Sequence, residues 1–279
     1  MRDLSGKVAV ITGGASGIGR ALADAFADEG MKLVLADVEK PALEAAVAEL
    51  EAGGSEAFGV PTDVRDPEQV RALADAALDR FGTVHVVCNN AGVAPLGPVL
   101  ETSFEDWRWL VDVNLLGVAY GCSVFAPILI EQGEGHIVNT ASAGGLIAAP
   151  GLGAYVATKH AVVGLSETLF LELADTGVGL SVLCPGLVDT RIFQSERNRP
   201  GDDGGPASYG DFQSRACDML SRLGTPPARI ARSVVEAIHE ELLFILPNEE
   251  VKPLVLERFE RVVAGENPSR DQVHGIGDA

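Results

Sequence analysis

From its first strand onward the chain alternates short, unbroken apolar runs with segments whose apolar residues recur every three or four positions. The runs at 7–12, 33–36, 57–60, 84–88, 136–140, 179–184 and 242–246 are rich in Val, Ile, Leu and Ala. Runs of that length with no polar alternation read as strands buried on both faces. Between them, Ile18, Leu22 and Phe26 share one face of a helix over 17–29. Further helical patterns cover 41–50, with Pro41 in the first turn, and then 67–81, 153–175 and 225–240. Thr102-Ser103-Phe104-Glu105 is a capping box that opens one long helix to about residue 131. Strand–helix alternation with short connections requires parallel pairing and right-handed crossovers. The predicted fold class is therefore α/β, a single-domain doubly wound parallel sheet of about seven strands with helices on both faces.

One domain spans 1–250. Within it, 189–224 breaks the rhythm and predicts an irregular insertion, either a lid over a site or a surface loop. Its acidic pair Asp202/Asp203 has no further ligands around it, so no metal site is expected. Residues 251–279 form a C-terminal helix and a polar tail from Gly265. The stripe Val255, Phe259, Val262, Val263 on that helix would cover sheet or a neighbouring subunit.

In such a sheet, ligands bind beyond the C-terminal strand ends. The turn after the first strand reads Thr12-Gly13-Gly14-Ala15-Ser16-Gly17-Ile18-Gly19. Its glycines let backbone approach a pyrophosphate, which then sits at a helix N-terminus. Asp37 follows the second strand, 18 residues past Gly19, near the position of a carboxylate that bonds adenosine ribose hydroxyls. A 2′-phosphate would meet like charge there, and Ala15, Ser16 and Val38 offer it no cation, so NAD is favoured over NADP. Asp37 as a plain turn residue is the alternative. Tyr155 and Lys159 fall one helical turn apart on one face. A phenol with a pKa of about 10 is a poor base. An ammonium beside it would favour the phenolate and match it to an alcohol proton.

With these residues in hand, the chain resembles the short-chain dehydrogenase/reductase family over roughly residues 5 to 250. The glycine turn, Asp63-Val64, Asn89-Asn90-Ala91-Gly92, Pro185-Gly186 and Thr190 match its motifs in order. The resemblance implies that Gly13, Ser16, Gly17, Ile18, Gly19, Asp37, Asp63, Val64, Asn90, Ala91, Gly92, Tyr155, Lys159, Pro185, Gly186, Val188 and Thr190 bind the cofactor. It implies Asn114, Ser142, Tyr155 and Lys159 as the catalytic set. Tyr155 would take the hydroxyl proton, Ser142 would orient the oxygen, Lys159 would hold the nicotinamide ribose, and Asn114 would anchor a water. A core amide at Asn114 and a loop serine at Ser142 are the plainer alternatives. The long helices starting near 103 and 153, with Ala119, Gly121, Ala154, Ala157, Ala161 and Gly164, would pair subunits in a homodimer or homotetramer.

Val93, Leu96, Gly144, Leu146 and Leu187 are the candidate pocket walls. They are small or apolar, which suits a hydrophobic or cyclic alcohol or ketone, although Arg191, Arg197 and Arg199 lie in the insertion. A non-catalytic dinucleotide-binding sensor or scaffold is the competing reading. The net charge of −19 argues against nucleic acid or anionic membrane as partners. No apolar run approaches the roughly 20 residues that span a bilayer. Cys88, Cys122, Cys184 and Cys217 form no metal or disulfide motif. A cytoplasmic protein without a metal site is expected.

Overall fold

The computed structural model describes residues 1, 3–199, 201 and 210–268. Asp202, Asp203 and the tail beyond 268 lie outside them. The elements run β1 Val8–Thr12, α1 Gly17–Asp28, β2 Lys32–Asp37, α2 Lys40–Ala52, β3 Ala57–Pro61, α3 Pro67–Phe81 and β4 Val86–Asn89. They continue with α4 Phe104–Val111, α5 Gly117–Gln132, β5 Gly135–Thr140, α6 Gly153–Glu172 and β6 Val178–Leu183. Last come α7 Gly210–Leu223, α8 Pro227–Glu240, β7 Phe244–Ile245 and α9 Val251–Ala264. The sheet is parallel in every pairing, in the order β3-β2-β1-β4-β5-β6-β7. The chain starts mid-sheet, winds outward to β3, then returns to β4. The crevice between the ends of β1 and β4 is the result.

The unbroken apolar strands are explained by the two layers. Ala9, Ile11, Leu33 and Leu35 face α1, α2 and α8, whereas Val8, Val10, Val34 and Ala36 face α3, α5 and α6. Both sets are almost fully buried. A strand with helices on both sides has no face to give to water.

Four local expectations are corrected. The long helix is broken at Asp112–Leu116 by a π turn, which lodges one extra residue between α4 and α5. Its N-cap is Ser103, whose hydroxyl accepts from the Asp106 N–H at 3.0 Å, one position later than the box read from sequence. The 189–224 insertion holds a 3-10 segment, Ile192–Asn198, and all of α7. Among the described side chains of α7, Ala216 and Leu220 are buried one turn apart, so the insertion carries an amphipathic helix where little periodicity is expected from sequence. Last, β7 keeps only two residues of the predicted run.

Gly121 and Ala154 are buried inside the subunit, so they are not available for pairing subunits, whereas Ala157 and Gly164 are exposed. Gly121 lies over Asn89, where an added Cβ would fall 1.9 Å from Oδ1. Asn89 donates to Asn139 Oδ1 at 2.9 Å, and Asn139 donates to Ser166 Oγ at 3.0 Å. This buried chain ties β4 to β5 and to α6.

Gly121→Ala should therefore destabilise the protein by about 2 kcal/mol, because displacing Asn89 outweighs the helix propensity gained. Urea denaturation would show a lower midpoint at an unchanged m-value.

Candidate active site

The crevice opens into a cleft of about 1150 Å³ that runs from the glycine turn to the N-terminal half of α6. No side chain caps α1, and Ser16, Gly17 and Ile18 line the cleft at its N-terminus. The first-turn N–H groups and the positive end of the helix dipole therefore face an anion site. Gly19 does not line the cleft. A Cβ there would sit 2.1 Å from the Gly13 carbonyl oxygen, so this glycine lets α1 close against its own turn.

The ends of three strands are bolted together beside that turn. Thr12 Oγ1 accepts from the N–H groups of Asn90 (2.9 Å) and Ala91 (3.1 Å). The Asn90 amide donates to the Thr12 carbonyl at 3.0 Å and accepts from Thr140 Oγ1 at 3.3 Å. Ala91 and Gly92 are thereby held against the cleft. At the β2 end, Asp37 accepts from the N–H groups of Ala15 (3.1 Å) and Glu39 (3.0 Å). Burial pushes its carboxyl above the ordinary carboxylate range, against the pull of those bonds. Asp63 and Val64 line the same end, and the Asp63 carboxylate is engaged by Arg65. On the far side, Ala143 N–H bonds the Pro185 carbonyl at 2.7 Å, and Gly186 N–H bonds Asn248 Oδ1 at 2.9 Å. Val188 bridges Thr225, and Thr190 lines the cleft next to Gly17. Asn248 is nearly fully buried and also donates to Thr225 Oγ1, so it anchors the turn after β6. Sequence reasoning passed over it, since an Asn after the last strand carries no motif.

Ser142, Tyr155 and Lys159 meet in this cleft. Lys159 is buried, and its Nζ donates to the Thr140 carbonyl at 2.7 Å. Nζ lies 5.6 Å from the centroid of the Tyr155 ring. Burial lowers the ammonium to about 8. The phenol shifts opposite to the expectation from charge alone: burial raises it above its ordinary value, and the bond with Ser142 only partly opposes this. The ammonium is turned toward a carbonyl beside the ring, so in this structure desolvation decides the direction. Asn114 is fully buried within the π turn. Its amide donates to the Val93 carbonyl (2.9 Å) and to Thr158 Oγ1 (3.3 Å), and its oxygen accepts from Val93 N–H (2.8 Å). Both donors are spent inside the protein, so the side chain fixes the loop at Val93.

Of the expected pocket walls, Val93, Gly144 and Leu187 line the cleft. Leu146 instead belongs to the core beneath α6, and Leu96 packs under Phe193 and Leu220. Further wall comes from Trp109, Leu152, Phe193, Met219, Leu220, Val251 and Leu254. These residues lie far apart in the chain, and only the fold brings them together. Two arginines of the insertion are paired, Arg197 with Glu39 and Arg199 with Asp106.

A family model described as short chain dehydrogenase matches residues 7–201. A 1-deoxy-11-beta-hydroxypentalenate dehydrogenase of Streptomyces exfoliatus is 37% identical, with 93% of this chain and 89% of that protein aligned. A cyclohexanol dehydrogenase of an Acinetobacter species is 34% identical over 88% of this chain and 92% of that protein. The crystal structure of a short chain dehydrogenase/reductase from Burkholderia phymatum in complex with NAD superposes with a TM-score of 0.92. It is 46% identical and covers 96% of this chain and 98% of that one.

The buried ammonium makes a pH prediction. Between its lowered value of about 8 and the ordinary 10.5, the unfolded chain holds a proton that the folded chain has lost. Folding therefore gains stability as pH rises through that window, and the penalty is fully present below it. Lys159→Met has no such window. Its unfolding free energy minus that of the wild type should fall by roughly 3 kcal/mol between pH 8 and 10.5, measured by denaturant titration of the cofactor-free protein.

Proposed function

Because this chain belongs to the short-chain dehydrogenase family, we propose that it is an NAD-dependent oxidoreductase interconverting a secondary alcohol and its ketone, with Tyr155 as the general acid/base. The single observation that carries the reading is the meeting of an anion-binding helix terminus, the Asp37 carboxylate and the Ser142/Tyr155/Lys159 set along one cleft. The residues fit a dinucleotide. The uncapped N-terminus of α1 suits a pyrophosphate, Asp37 suits ribose hydroxyls rather than a 2′-phosphate, and Lys159 suits the second ribose. The NAD in the Burkholderia phymatum relative supports this choice.

When bound, NAD supplies a cationic ring that accepts hydride from the carbinol carbon. The chain's own residues handle the proton. Tyr155 Oη takes it from the substrate hydroxyl in oxidation and returns it in reduction. Ser142 hydrogen-bonds the same substrate oxygen and fixes its direction. A phenol raised by burial needs nearby positive charge to act as a base near neutral pH, and Lys159 is the cation placed to supply it from within the protein. Asn114 keeps Val93 in place at the pocket wall.

The substrate is hydrophobic, and an alicyclic alcohol or ketone fits best. Val93, Leu152, Phe193, Leu220 and Trp109 give the pocket apolar walls, and Arg197 and Arg199 are committed to carboxylates of the protein. The names of the cyclohexanol and hydroxypentalenate dehydrogenases point the same way. A homodimer or homotetramer on the exposed faces of α5 and α6, in the cytoplasm, completes the reading, and a monomer by light scattering would remove its first half.

With a panel of cyclic secondary alcohols and NAD, the protein should produce NADH, and NADP should serve less well. Tyr155→Phe should lower kcat by about a thousandfold while NAD affinity stays within a few fold. Near-parental turnover in Tyr155→Phe, or activity confined to sugar acids, would overturn the corresponding half of the proposal.

A further inference from the structure

The 3-10 segment Ile192–Asn198 crosses the mouth of the cleft and is tied down on both banks. On one bank, Ser195 Oγ accepts from the Ala94 N–H at 3.0 Å. Just beyond the segment, Arg199 pairs with Asp106 and lies 4.9 Å from the centroid of the Trp109 ring. On the other bank, three donors converge on one oxygen, Glu39 Oε1. They are Arg197 Nε at 2.9 Å, Arg197 Nη2 at 2.7 Å and Asn198 Nδ2 at 2.9 Å. The Glu39 side chain retains 24% of its exposure and that of Arg197 31%. Burial alone would raise the Glu39 carboxyl, but these bonds hold it below the ordinary range. Glu39 sits two residues past Asp37, and its own N–H is bonded to the Asp37 carboxylate. Between the two banks, Phe193 is buried with Leu96, Leu152 and Leu220 in a cluster that Tyr155 joins.

We propose that Glu39 is a positioning residue for the substrate pocket: from the adenosine end of the cleft its carboxylate holds Arg197 and Asn198, and through them the wall that Phe193 and Ser195 form beside Tyr155. The proposal rests on the reading of the cleft given above. If Glu39 served the cofactor alone, its loss would alter NAD binding and leave the alcohol untouched. As a clasp, its loss frees one bank of the segment, loosens the wall and weakens alcohol binding, while the proton chemistry at Tyr155 is unaltered once substrate is seated. The effect is reciprocal, since whatever steadies the wall also steadies Glu39. Partly exposed ion pairs of this kind are worth about a fivefold change in an equilibrium and weaken with salt.

The test is a double-mutant cycle in the full chain with Glu39→Ala, Arg197→Ala and both together, read two ways. In steady-state kinetics, each single variant should raise the KM for the alcohol about fivefold with kcat within twofold, and the double variant should be no worse than the poorer single. In amide hydrogen exchange of the cofactor-free protein, peptides covering 191–199 should exchange about fivefold faster in each variant. The swapped pair, Glu39→Arg with Arg197→Glu, should recover part of the protection. Additive effects, a change confined to the KM for NAD, or unchanged exchange over 191–199 would each overturn the proposal. The exchange arm needs no turnover. A chain that oxidises none of the alcohols would count against the proposed function, whereas protected 191–199 amides in Glu39→Ala would count against the clasp.

Discussion

A cation buried in a parallel-sheet enzyme must be held by groups that do not move, and Lys159 is such a cation. Its bond to the Thr140 carbonyl joins α6 to the end of β5, and Thr140 in turn bonds Asn90, which bonds Thr12. The ends of β1, β4 and β5 and the start of α6 are therefore one connected piece. Replacing such a group with an apolar one would relieve desolvation, so stability alone gives no reason to keep it. Under the proposed function its positive charge serves the phenol beside it, and the bond to the Thr140 carbonyl offsets part of the cost of burial.

The reach of sequence reasoning divides along a physical line. Strands with helices on both sides leave continuous apolar runs, so the sheet and its direction were legible, as was the family. Tyr155 and Lys159 were legible as a pair because helical spacing alone brings them to one face. The direction of the phenol's shift was not, because spacing names neighbours but not the water they displace. Leu96 and Leu146 look like pocket residues in sequence, yet each points into packing set by α7 or α6. Helix α7 escaped notice although Ala216 and Leu220 fall one turn apart on one face, because the glycine-rich run at 201–206 just before it reads as the start of a loop. Asn248 and the far wall at Val251 and Leu254 come from beyond the last long strand run, where no local pattern signals a cleft.

The electrostatics carry a tension. A protein of net charge −19 is proposed to bind an anionic dinucleotide, so its overall field cannot draw the cofactor in. Attraction must be local, from the uncapped start of α1 and from exposed Arg191, which lines the cleft beside Thr190. The remaining cations near the cleft are largely spent on the protein's own carboxylates. That leaves the wall formed by Trp109, Leu152, Phe193 and Leu220 apolar, and a hydrogen bond made beside it is strengthened by the low local dielectric.

The π turn at Asp112–Leu116 has an implication for how this helix can vary. Removing any one residue from it would restore regular α-helical bonding and give a locally more comfortable backbone. Because the wide turn takes up its extra residue locally, α4 and α5 would stay in phase, and the change would fall on the turn itself, where Asn114 bonds Val93 and Thr158. Shortening by one here improves the helix and dismantles what it supports, so length at this point is under a constraint that no single substitution would reveal.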